Sequence, residues 1–144
     1  MSSERNIDPF AVMILVLSVI GLILLAALDF AAFDLNGSGT RWSCLSCEYS
    51  TTGDIIAQVV ILILLILQIV IALNELLPKR LIEKDLNLIG MILACLTILF
   101  VIIGIASFGI EYSEYYWWPE TGFYGAIIAG ILNLALFFLK FKNR

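Results

Sequence analysis

Apolar residues fill four long stretches of this chain, at about 10–33, 55–77, 86–110 and 122–141, and polar residues gather between them. Each stretch is near or above the roughly 20 residues that carry a helix across a bilayer core. The pattern predicts an all-α membrane protein: a single four-helix transmembrane domain over 1–144, with short loops. Asp8-Pro9 forms a helix start, with Asp as N-cap and Pro at the first helical position. Pro78 separates span two from a basic hinge at 79–85, and Asp85 or Asn87 opens span three. Glu120 places a carboxylate at the positive end of span four. Leu35-Asn36-Gly37-Ser38-Gly39 reads as a flexible turn. The first stretch is longer than the apolar core of a cleaved signal peptide, so it is read as a retained span.

Lipid gives helices no hydrophobic reason to associate, so small and polar residues report their contacts. On a helical wheel, Asp54, Gln58, Gln68, Ala72 and Glu75 share one face of span two. Span four gathers Gly122, Gly125, Ala126, Ala129, Gly130 and Asn133. Within it, Gly122, Ala126 and Gly130 form a small-residue ladder that serves internal packing, an external partner, or both. Span one aligns Ser18, Gly21 and Asp29; span three aligns Gly90, Ala94, Thr97 and Gly104, with Cys95 nearly opposite. Gln68 lies thirteen residues from the start of its stretch and Asn133 eleven from the start of its own. At 1.5 Å per residue their depths differ by only ~3 Å. Ser18, Gln68, Thr97 and Asn133 are therefore expected to form a polar layer inside the bundle, with Gln68–Asn133 its strongest pair. That layer holds no ionisable residue, which favours structural glue over an ion or proton path.

Charge sets the expected orientation. Of eight basic residues, Arg5, Lys79, Arg80, Lys84, Lys140, Lys142 and Arg144 fall on one side and Arg41 alone on the other. The positive-inside bias then makes both termini cytoplasmic and loops 34–53 and 111–121 extracytoplasmic. The outer set carries Asp29, Asp34, Glu48, Asp54, Glu111, Glu114 and Glu120, an acidic rim able to attract cations weakly. Tyr112, Tyr115, Tyr116, Trp117, Trp118, Phe123 and Tyr124 crowd the same side and read as an interfacial aromatic belt. Phe137, Phe138 and Phe141 read as lipid-facing or inner-leaflet packing.

Candidate chemistry is sparse. The absence of histidine removes His-ligated metals and Ser-His or Cys-His nucleophiles, and no phosphate loop or nucleic-acid patch is present. No catalytic residue, metal or cofactor is assigned. Cys44-x-x-Cys47, in the first outer loop, fits three chemistries: a structural disulfide, a redox pair, or metal binding with Glu48. The structural bridge is the leading reading. Cys95 reads as a small apolar residue buried in span three.

Trp42 followed by Cys44 and Cys47, in a four-span chain with cytoplasmic termini, resembles claudin-like tetraspan proteins of the claudin and peripheral-myelin type. That resemblance implies adhesion, junction or accessory-subunit roles. The family's first loop is about twice as long, with cysteines some ten residues apart, enough for a small sheet; the twenty residues here are expected to build none. Cys44-Leu45-Ser46-Cys47 also resembles the first outer loop of quinone-linked disulfide oxidases, which implies electron transfer to a membrane quinone. Those enzymes need a second cysteine pair that 111–121 lacks, and an arginine where Thr51 and Thr52 stand. The sequence thus points first to a non-enzymatic tetraspan scaffold or accessory subunit, homo- or hetero-oligomeric within the lipid bilayer. A thiol–disulfide oxidoreductase comes second and a small channel or transporter subunit third.

Overall fold

A computed structural model describes residues 6–143; Arg5 and Arg144, two of the residues used for orientation, lie outside them. Four helices carry the apolar stretches: α1 (Pro9–Ala27), α2 (Thr52–Leu76), α3 (Asn87–Glu111) and α4 (Thr121–Lys142). All four are long and apolar enough to cross a membrane, the architecture of a multi-pass membrane protein. Each packs on the next in sequence, and α1 packs on α4, so the bundle closes on itself. The starts follow local chemistry. Asp8 Oδ1 accepts from the N–H groups of Phe10 and Ala11, and Thr51 and Asp54 form a reciprocal capping box on α2. Glu120 does not cap α4 with its side chain; its carboxylate accepts instead from Trp118 Nε1 at 2.7 Å.

Span one ends earlier than the apolar stretch 10–33 predicts. The helix stops at Ala27, and Ala31–Asp34 form a strand, β1. Nineteen residues already span ~28 Å, close to the hydrocarbon thickness. Beyond it, β1 pairs antiparallel with β2 (Thr40–Ser43) on one side and β3 (Tyr116–Pro119) on the other. The apolar run continues through Phe33 because a strand buried on both faces also reads as an unbroken apolar run. This three-stranded sheet overturns the expectation that so short a loop builds none. One strand comes from the tail of the first apolar stretch and another from the second loop, so the first loop need supply only the third.

The turn at 35–39 is a defined hairpin. Asn36 and Gly37 both have positive φ, 50° and 82°, and Ser38 N–H donates to Leu35 O at 3.0 Å. That is the type I′ geometry for which Asn-Gly is suited. Asp34 Oδ1 accepts from Gly37 N–H and fixes the corner. At the other end of the bundle, Asn74 ties down the 77–86 connection: its Oδ1 accepts from the N–H groups of Leu81 and Ile82, and its Nδ2 donates to Ile82 O.

Small residues set the helix spacing. A Cβ on Gly21 would lie 2.8 Å from Ala129 Cβ, so α1 and α4 approach closely there. Gly90 gives the Phe137 ring its seat, and Phe137 is buried against α3 while Phe138 and Phe141 face outward. Cys95, expected in the interior, is exposed on the outer face of α3, because the opposite face holds Gly90, Ala94 and Thr97. Gly90→Val should lower unfolding stability by about 1–3 kcal/mol through overpacking. A second change, Phe137→Leu, should recover part of that loss in denaturant unfolding of the detergent-solubilised protein.

Candidate functional site

Three groups of polar or chemical side chains occupy distinct levels of the molecule. Midway along the helices, Asn133 Nδ2 donates to Ser18 Oγ and to Gln68 Oε1, both at 2.8 Å. Gln68 Nε2 donates to Thr97 Oγ1 at 3.0 Å, and Thr97 Oγ1 donates back to Leu93 O. All four residues are fully buried, and the chain of bonds touches all four helices. Gly122, Ala126 and Gly130, the ladder of span four, also face inward. Gly122 meets the backbone of Asp29, its N–H donating to Asp29 O; Gly130 meets Ile98 and Thr97; and Ala126 is wholly buried. Their closest contacts are thus within the chain.

Sequence reasoning missed the second group. At the end of the bundle opposite the sheet, Lys140 donates to Glu75 Oε2 and, at 2.5 Å, to Asp8 Oδ2. Lys140 and Glu75 are buried and Asp8 is half-buried, and the three join α4, α2 and the start of α1. Lys140 counts in the sequence merely as one of the basic residues on that side. Its position seven residues after Asn133, on the same face, and Glu75's place on the polar face of α2 were the available signals. Burial pushes the Asp8 pKa up, but the Lys140 ammonium and the N–H groups of Phe10 and Ala11 outweigh it, so Asp8 sits below the ordinary carboxylate range.

The third group is the sheet end. In each strand pair, opposed residues share a face. Phe33 is in register with Arg41 and Trp117, and this face covers the bundle. Phe33 stacks on Tyr112 with centroids 4.0 Å apart and contacts the rings of Tyr49, Phe108 and Tyr115. Tyr112 also donates to Tyr49 O at 2.7 Å, across to the first loop. Much of the expected aromatic belt is therefore a packed plug: Tyr112, Tyr115, Trp117 and Phe123 pack half-buried against the core, while Tyr116 and Tyr124 are exposed. The other sheet face is different. Trp42, Ala32 and Trp118 form one row and Thr40, Asp34 and Tyr116 the next. Tyr116 is 77% exposed and Trp42 46%, so this face presents aromatic rings outward. Arg41, on the covered face, lies over the Tyr49 ring.

Cys44 and Cys47 are paired at disulfide distance. Ser50 holds their loop: its Oγ donates to Cys44 O at 2.6 Å and accepts from Cys44 N–H at 3.0 Å. The carboxylate grouped with the pair is that of Asp29, where the metal-binding alternative names Glu48; one of its oxygens and both sulfurs lie within 4.8 Å of one another. Sheet register brings them together. Phe30 N–H donates to Ser43 O, extending the β1–β2 ladder by one residue and setting Asp29 against the cysteine loop. Burial pushes the Asp29 carboxyl up, and the nearby Glu120 charge adds to that.

No known protein family, curated protein or solved structure matches the chain. Its class is set by its own architecture: four apolar, membrane-length helices in a closed bundle, capped at one end by a three-stranded sheet.

Removing one partner of a buried ion pair strands the other. Lys140→Met should therefore cost about 3–5 kcal/mol, while Lys140→Met combined with Glu75→Leu should recover most of it in denaturant titrations. The pH dependence has a definite sign. Asp8 has a lower pKa folded than unfolded, so its contribution is full above the ordinary carboxylate range and is lost as pH falls through the folded value. Asp8→Asn should flatten that acid limb of the stability curve and keep the N-cap.

Proposed function

We propose that this protein is a non-enzymatic, claudin-like tetraspan that acts by lateral association, as a membrane scaffold or as the accessory subunit of a larger complex. One observation carries the reading: the two loops at one end are knit into a single sheet, with one face plugging the bundle and the other presenting Trp42, Trp118 and Tyr116. Large aromatic side chains are the usual anchors of protein contacts. The midplane layer supports it too. Its amide nitrogens and hydroxyls bond within the layer, with Asn133 Oδ1 buried and without a partner, and no ionisable side chain joins them, as an ion path would usually require. The sheet bears on one departure from the claudin pattern, the missing sheet, while the shorter first loop and the close cysteine spacing still separate the two. On this reading the sheet end is extracytoplasmic, and the end carrying Lys79, Arg80, Lys84 and Lys142 is cytoplasmic, as the charge bias favours.

The thiol–disulfide reading keeps one supporting observation, the half-buried Cys44–Cys47 pair with a carboxylate beside it. The second loop, however, brings no cysteine to relay electrons onward.

Native mass spectrometry of the protein in polymer-excised native nanodiscs tests the association. The expected result is a specific assembly with itself or a second membrane protein, and a severalfold loss of that assembly in Tyr116→Ser/Trp118→Ser at unchanged melting temperature. A monomer in native membrane, or quinone reduction that depends on Cys44, would contradict the proposal. A membrane-impermeant thiol label reaching Cys44 and Cys47 from outside reduced intact cells is expected; labelling only after lysis would reverse the orientation.

A further inference from the structure

Asp29 is a carboxylate without a matching cation. It makes no salt bridge among the described residues, and the charge of Glu120 lies close enough to oppose its ionisation. Arg41 lines the same open cleft, of about 470 Å³, yet its guanidinium rests over Tyr49. The sulfurs of Cys44 and Cys47 lie within 4.8 Å of one of its oxygens. As a disulfide those sulfurs are poor metal ligands. As thiolates they are the preferred ligands of borderline-soft cations.

We propose that, once the Cys44–Cys47 bond is reduced, the two thiolates and the Asp29 carboxylate form a three-ligand site for a divalent zinc-like cation. The fourth position opens to the cleft, where water can enter. Tetrahedral zinc with bonds of about 2.3 Å to sulfur and about 2.0–2.2 Å to oxygen sets its ligand atoms roughly 3.5–3.8 Å apart. An Asp29 oxygen already lies within 4.8 Å of both sulfurs, and breaking the S–S bond frees the sulfurs to move apart to that spacing by side-chain rotation. The backbone needs no help from the disulfide to stay in place. Ser50 bonds to Ser43 and to both backbone groups of Cys44, and the ladder to Phe30 fixes Asp29. An external dithiol breaks the S–S bond, delivering two electrons and two protons to the sulfurs and becoming its own cyclic disulfide. The cation then displaces both thiol protons to solvent. Occupancy is thus gated by redox state: the oxidised loop excludes the metal and the reduced loop takes it.

The test uses the full chain in detergent, with Cys95→Ser to remove the third thiol, reduced and then freed of reductant under nitrogen. Zinc is titrated against a chromophoric chelator, and cobalt(II) serves as a spectroscopic stand-in. The expected result is one zinc per reduced chain and none per oxidised chain, with a thiolate-to-cobalt charge-transfer band. Asp29→Asn should weaken zinc binding at least tenfold at unchanged melting temperature, because only its backbone carbonyl is used in the fold. Glu48→Gln should stay within twofold. Equal affinity in Asp29→Asn, binding by the oxidised chain, or a missing charge-transfer band would overturn the proposal.

Discussion

Asn133 is the side chain on which the bundle's closure depends. From one amide nitrogen it reaches Ser18 on α1 and Gln68 on α2, and Gln68 passes the connection to Thr97 on α3. Individually such bonds average only ~0.6 kcal/mol in membrane proteins. Their effect lies in what they forbid. Rotating or sliding α1, α2 or α4 would strip Ser18, Gln68 or Asn133 of a bond in hydrocarbon, where Asn133 Oδ1 already lacks a partner, and each further unpaired group costs several kcal/mol. The glycines extend this constraint: Gly21, Gly90 and Gly130 allow the close approach at which short side chains can meet. Polar selection and small-residue packing thus specify the same arrangement.

The two ends of the bundle solve different problems. At the basic end a single ammonium, Lys140, sits between two carboxylates and gathers three elements. At the other end the backbone leaves the helices and must be satisfied again, and a sheet does this with few residues. Placing β1 at the centre pairs the extension of α1 with the lead-in to α4, so loop geometry follows helix geometry directly. Phe33 then fills the space between the sheet and the helix ends. What remains outward is a small surface that carries Trp42 and Tyr116.

The number of spans is legible in the sequence because four membrane-length apolar runs have few other solutions. Ser18, Gln68, Thr97 and Asn133 are legible as a group because a polar residue in an apolar helix stands out, and its depth can be counted from the span's end. The end of α1 is not legible, since Phe30–Phe33 are as apolar as the helix before them and become a strand only through partners distant in sequence. The same holds for Asp29, which reads as one more acidic residue until sheet register places it beside Cys44 and Cys47. Lys140 is hidden differently. The charge bias already explains a lysine at that end of the bundle, and only its alignment with Asn133 marks it as facing inward.

A double-mutant cycle on Gln68→Leu and Asn133→Leu, measured by reversible unfolding in bicelles, weighs the midplane layer itself. A favourable coupling of about 1–2 kcal/mol is expected, near the upper end for intramembrane hydrogen bonds. A coupling indistinguishable from zero, with both single variants as stable as the parent, would show that the midplane layer does not hold the bundle together.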